Sequence, residues 1–179
     1  MGKLFLGIVS LMLLFFGGCA TKKSEHVYIP LHNICETPKV SLNLGYVRSS
    51  VQNELYITAS EATNVLKTAL EDSRCFFINE GNVSKEALNL DLLYSSKVVR
   101  DQSPEGIFSE ASKLFLSVDV AVSFENRKGR KIYRSTSLIE LKNTKFLGIG
   151  EDPKLPEEER ARAIEIAIRN AIKDASKAL

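Results

Sequence analysis

The sequence predicts an α+β fold: a mostly antiparallel sheet with two amphipathic helices packed on one face. Three observations carry this reading. "KLFLSVDVAVSFE" alternates strictly, with Leu114, Leu116, Val118, Val120, Val122 and Phe124 on one side. Phe115, Ser117, Asp119, Ala121, Ser123 and Glu125 take the other side, so the strand has one oily face. Two other stretches have a helical period instead: Ala62, Val65, Leu66, Ala69 and Leu70, then Ala161, Ile164, Ile168, Ala171, Ile172, Ala175 and Leu179. Two helical stripes and one oily sheet face cover one another most economically when both helices lie on that face.

The elements follow in order. "PKVSLNLGYV" alternates Val40, Leu42, Leu44 and Tyr46 as a strand, with Gly45 marking a bulge or bend. Thr58 stands three residues before Glu61, the spacing of a capping box. The first helix runs from there to Asp72 or Ser73, and "CFFIN" reads as a short buried strand. "ALNLDLLYSSKVVR" is the next strand, and "DQSPEG" breaks the chain with Pro104 and Gly106. The strand over 114–124 then turns at "NRKGRK", where Gly129 supplies positive φ, and "IYRSTSLIELK" returns antiparallel. "NTKFLGIGEDPKLP" reads as a loop. A long helix follows Pro156; Glu157, Glu158 and Glu159 at its start, and Lys173 and Lys177 near its end, suit the helix dipole.

The first residues read as an address. Lys3 is a lone charge before an apolar run from Leu4 to Phe16, too short to span a bilayer and right for a secretory leader. Gly17 and Gly18 precede Cys19. This stretch resembles a bacterial lipoprotein signal, with Phe16 where that pattern prefers Leu. The resemblance implies that residues 1–18 are removed and that Cys19 becomes the acylated first residue. Its thiolate is the nucleophile. Ala20, where Asp would retain a lipoprotein at the inner membrane, implies the outer membrane. Residues 19–38 are then a lipidated tether and 39–179 a periplasmic domain.

Behind this signal, "VLKTALEDSRCFFINEG" and "VDVAVSFENRKGRKIYRSTSLIEL" with a terminal helix resemble the YajG-type lipoproteins. More broadly, the element order resembles the lipoproteins related to the curli-secretion component CsgG and the peptidoglycan-synthase activator LpoB. The resemblance implies a non-enzymatic outer-membrane lipoprotein, an accessory or scaffold in envelope assembly that works through protein partners. The transport-auxiliary lipoproteins such as PqiC share the order. They imply the alternative of a domain that binds lipid between its sheet and helices.

Composition sets limits. Lys and Arg total 24 against 22 Asp and Glu, so no field exists to steer nucleic acid. Cys35 and Cys75 remain after acylation of Cys19. In an oxidising compartment they are either a disulfide or two small buried hydrophobes that never meet. No nucleophile, base and orienting group fall together, so neither a catalytic residue nor a cofactor is expected. His26 and His32, the only histidines, lie in the tether without a carboxylate cluster, and no metal is expected there. "GIG" at 148–150 lacks the pattern of a phosphate loop. Two surfaces remain as candidates. Arg127, Lys128, Arg130 and Lys131 at the hairpin tip either touch an anionic surface or solvate a turn. Phe146, Leu147 and Ile149 either contact a partner or plug the sheet end.

Overall fold

The computed structural model describes residues 34–79, 84 and 86–178. The leader, Cys19, His26, His32 and Leu179 lie outside the described residues. Among the described residues seven elements follow one another: β1 (Val40–Asn53), α1 (Ala59–Ser73), β2 (Phe76–Ile78), β3 (Leu88–Pro104), β4 (Ser109–Asn126), β5 (Gly129–Phe146) and α2 (Glu157–Lys177). The fold is α+β, with one five-stranded sheet in the order β2-β1-β3-β4-β5. β3 pairs antiparallel with β4 from Asn89↔Glu125 to Pro104↔Glu110, and β4 with β5 from Ser109↔Phe146 to Asn126↔Gly129. β1 pairs parallel with both β2 and β3. α1 is the crossover that parallel neighbours require.

The oily face of β4 is the core face. Leu114, Leu116, Val118, Val120, Val122 and Phe124 are all buried there, with Leu90, Leu92 and Tyr94 of β3 beside them. Both helices lie over it. α2 contributes Ala163, Ile164, Ala167, Ile168, Ala171, Ile172 and Ala175. Its alanines let the helix axis approach the sheet, and its isoleucines fill the gaps. Ile164, Ile168, Ala171, Ile172 and Ala175 lie in this stripe as expected; Ala161, also expected there, is exposed, and Ala163 and Ala167 join it instead.

α1 starts where its capping box predicts. Glu61 N donates to Thr58 Oγ1 at 3.2 Å, and Thr58 N donates to Glu61 Oε2 at 2.7 Å. Arg160 of α2 reaches the same carboxylate at 2.5 Å, joining the two helix starts. The loop between β1 and α1 is held by Asn53, which donates to Ile57 O (2.7 Å) and accepts from Ile57 N (3.1 Å) and Ser96 Oγ (2.9 Å). Farther along, Arg169 pairs with Asp72 at 2.7 Å.

Four expectations need correcting. The register of β1 shifts between Leu44 and Val47, so Tyr46 points to solvent and Val47 turns toward the core. The cause lies at Gly45, where a Cβ would sit 2.2 Å from Asp91 Oδ1, the atom that accepts from Tyr46 N at 2.8 Å. Second, β2 is only half buried: Phe76 is in the core and Phe77 is exposed, as an edge strand permits. Third, β3 does not stop before "DQSP" but runs to Pro104. β1 is paired only as far as Ser96, so beyond that point β3 is an edge and tolerates proline. Fourth, "NTKF" continues β5 rather than opening a loop, because it pairs with Ser109–Ser112 of β4.

Cys35 and Cys75 are joined by a disulfide across 40 residues of sequence. Cys35 N also donates to Ser73 O at 3.2 Å. The chain therefore enters the fold beside the C-terminus of α1.

Candidate functional site

The strand register gives the sheet two distinct ends. The entry end gathers the start of β1, β2, the start of β3 and the β4–β5 turn. The far end gathers the β3–β4 turn and the end of β5. β4 spans both, about 56 Å along the strand at about 3.3 Å per residue.

At the far end, Phe146, Leu147 and Ile149 are exposed; they do not plug the sheet. Phe146 and Ile149 form a bridge, with Phe146 N donating to Ile149 O (3.0 Å) and Ile149 N to Phe146 O (2.9 Å). Between them Leu147 has φ 51° and Gly148 φ 75°. Two successive positive φ values are those of a type I′ turn, which favours Asn-Gly or Gly-Gly. A leucine here is strained and is nevertheless 61% exposed. Its backbone N–H donates to Phe108 O at 2.7 Å, tying this turn to the β3–β4 turn. There Ile107 and Phe108 are exposed as well, Ile107 at 92%. Five large apolar side chains thus share one end of the sheet. The sequence reading missed Ile107 and Phe108. Their signal is the apolar pair that follows "SPEG" inside a turn, where polar residues are usual.

The chain below this cluster is fastened by charge. Lys145 pairs with Asp152 at 2.7 Å, and Ser112 Oγ donates to the same carboxylate at 2.6 Å. Asn143 Nδ2 donates to Glu151 O at 3.2 Å. The segment after the turn is thereby folded back along the sheet. Lys142 pairs with Glu105 across the far end. The ammonium groups of Lys145 and Lys142 hold the carboxyls of Asp152 and Glu105 below the usual carboxylate range.

At the entry end, the four basic residues of the hairpin tip do not form one patch. Arg130 Nη2 donates to Ser123 Oγ at 3.0 Å, on the sheet face away from the helices. Arg127 borders a shallow depression with Asn43 and Asn89. Lys128 and Lys131 border a cavity on the helix side. Among the described residues no group of three His, Cys, Asp or Glu is placed to hold a metal ion. No helix among them is long and apolar enough to cross a membrane.

No family model matches this chain, and no curated protein matches it. Solved structures with a similar course of the backbone include a neuraminyllactose-binding hemagglutinin homolog from Helicobacter pylori. It is 12% identical, with 87% of this chain and 91% of that chain covered and a TM-score of 0.46. A minor lipoprotein from Acinetobacter baumannii is 14% identical, with 76% and 89% covered and a TM-score of 0.36. The rare lipoprotein B of Shewanella oneidensis is 16% identical, with 76% and 88% covered and a TM-score of 0.30. At these values the likenesses assign neither a family nor an activity.

Proposed function

We propose that this chain is an outer-membrane lipoprotein, acylated at Cys19, whose 39–179 domain faces the periplasm and serves as a non-enzymatic accessory in envelope assembly. It docks a protein partner on the far end of its sheet. One observation carries this reading: Ile107, Phe108, Phe146, Leu147 and Ile149 are all exposed at one end of the sheet, on two joined turns of which one is strained at Leu147. Burying a large apolar side chain contributes about 1.5–3 kcal/mol, so five such side chains supply the core of an interface. The cluster also lies at the end of the sheet away from the chain's entry, which leaves it accessible when residues 19–33 are fixed to a membrane.

The double substitution Phe146→Ser, Leu147→Ser tests it. The domain is expected to keep its melting temperature within a few degrees, because neither side chain is buried. Recovery of partner proteins by crosslinking in intact cells is expected to fall at least severalfold. A large drop in melting temperature would place these residues in the core, and unchanged recovery would remove the turn from the contact surface.

A further inference from the structure

A second site lies at the entry end, separate from the apolar cluster and independent of the docking reading. A cavity of about 460 Å³ opens between the sheet, the last turns of α2 and the β4–β5 turn. This volume is within the range of about 300–1,000 Å³ that small-molecule pockets take. Its floor and walls are apolar: Phe76 of β2, Leu88 of β3, Phe124 of β4, Tyr133 of β5 and Ala175 of α2. Phe124 stacks on Phe76 with ring centroids 5.5 Å apart and meets Tyr133 edge-on at 5.7 Å, so the three rings form one continuous wall.

The rim differs from the floor. It is made by the β4–β5 turn, from Asn126 to Lys131. Arg130 spends its guanidinium on Ser123 across the sheet, so the cationic groups left at the rim are Lys128 and Lys131. Among the described residues that line the cavity there is no carboxylate. An apolar slot with ammonium groups at its mouth complements one chemistry: an apolar chain that ends in an anionic group. A neutral apolar ligand leaves both lysines unused, and a polar anion leaves the aromatic wall in contact with nothing.

We infer that this cavity binds an anionic amphiphile, its acyl chain against Phe76, Leu88, Phe124 and Tyr133 and its carboxylate or phosphate at Lys128 and Lys131. Carboxylate and phosphate heads correspond to two sources, a free fatty acid or a membrane phospholipid, and the test separates them.

The full chain, held in a non-ionic detergent, is titrated separately with palmitate, lysophosphatidylglycerol and zwitterionic lysophosphatidylcholine. Bound amphiphile is counted by native mass spectrometry. The acyl groups on Cys19 survive denaturation and are subtracted as covalent mass. One equivalent of palmitate, of lysophosphatidylglycerol or of each is expected, at least tenfold tighter than lysophosphatidylcholine. Palmitate alone identifies a fatty acid site, and lysophosphatidylglycerol alone a phospholipid site. Lys128→Glu with Lys131→Glu is expected to weaken anion binding at least tenfold without moving the melting temperature, since both side chains are exposed. Leu88→Trp is expected to reduce binding of every chain by filling the slot. Arg127→Glu, outside the cavity, is expected to leave binding unchanged. Binding of neither anion, equal binding of the zwitterionic control, or an equal effect of Arg127→Glu overturns the assignment. So does crosslinking of a photoreactive group at position 88 to residues 20–33, which would give the cavity to the chain's own N-terminal segment. Failure here leaves the far-end cluster and its partner test untouched.

Discussion

At Leu147, as at Tyr56 and Arg74, local preference and observed conformation conflict. A left-handed backbone costs an ordinary L-residue about 1–2 kcal/mol, whereas asparagine adopts it routinely. Little burial offsets that cost at Leu147, because its side chain is mostly in water. Leu147→Asn is therefore predicted to stabilise the isolated domain by about 1 kcal/mol while lowering partner recovery. A denaturant titration beside the crosslinking assay checks both, and a loss of stability would show that the leucine packs. Glu61 shows the opposite case, local preference reinforced from afar. Hydrogen bonds from Arg160 and from the Thr58 cap lower its carboxyl from 4.5 to about 2. A depressed carboxyl contributes stability that is present above pH 4.5 and is lost as pH falls toward 2. Glu61→Gln is predicted to lower the melting temperature at pH 7, and the gap to wild type should close by pH 2. A gap that persists at pH 2 would assign the effect to packing instead.

Among the elements, β4 was the most legible and β1 the least. β4 is long and paired along both edges, and it is covered on one side only, so its alternation records its environment without interruption. Val120 is buried on the helix side, and Asp119 is exposed on the other, where it accepts from Thr136 Oγ1 at 2.5 Å. Val120→Asp is predicted to bury an unpaired charge at a cost of several kcal/mol, enough to unfold a domain of ordinary stability. Asp119→Asn is predicted to shift the melting temperature by no more than a degree or two. Equal melting temperatures for the two variants would show that the sheet faces are reversed. In β1 the same alternation misled beyond Gly45, because a bulge is fixed by a side chain 46 residues later, Asp91, and no local pattern announces that approach. The parallel pairing of β1 was equally silent. Alternation states which side of a strand is oily and nothing about which neighbour it joins or in which direction. The helices were readable from their stripes and from the Thr58–Glu61 spacing. In α2 only Ala161 was misplaced, because alanine is small enough to sit on the wet side of a helix as readily as on the packed side.

At the scale of the whole molecule, the sequence reading found candidate residues at both ends of the sheet but could not assemble either site. The far-end cluster needs Ile107 and Phe108 from another turn, and their approach to Leu147 depends on the register of eighteen-residue strands. At the entry end, four basic residues close in sequence diverge: Arg130 and Lys131 because alternate residues of a strand point apart, Arg127 and Lys128 because they occupy the turn itself. The cavity wall draws on β2, β3, β4, β5 and α2, so no window of sequence contains it. The proposed address lies outside the described residues and rests on the sequence alone. Cys19→Ala is predicted to abolish incorporation of radiolabelled palmitate and to leave the precursor uncleaved, since alanine offers no thiol to acylate. Normal labelling of that variant would remove the anchor from the proposed function.

The Cys35–Cys75 bond also decides how the domain answers a mechanical pull. Tension on the chain ahead of Cys35 would, without the bond, reach Val40 directly and peel β1 from the sheet one residue pair at a time. With it, the force divides at Cys35, and part of it enters at Cys75, between α1 and β2. Yielding then requires a helix and two neighbouring strands to shift together, with the loads on their hydrogen bonds shared instead of sequential. A reductant would convert the same junction from a clamp into a zipper, so the resistance of this domain to being dragged from its N-terminal side depends on the redox state of its surroundings.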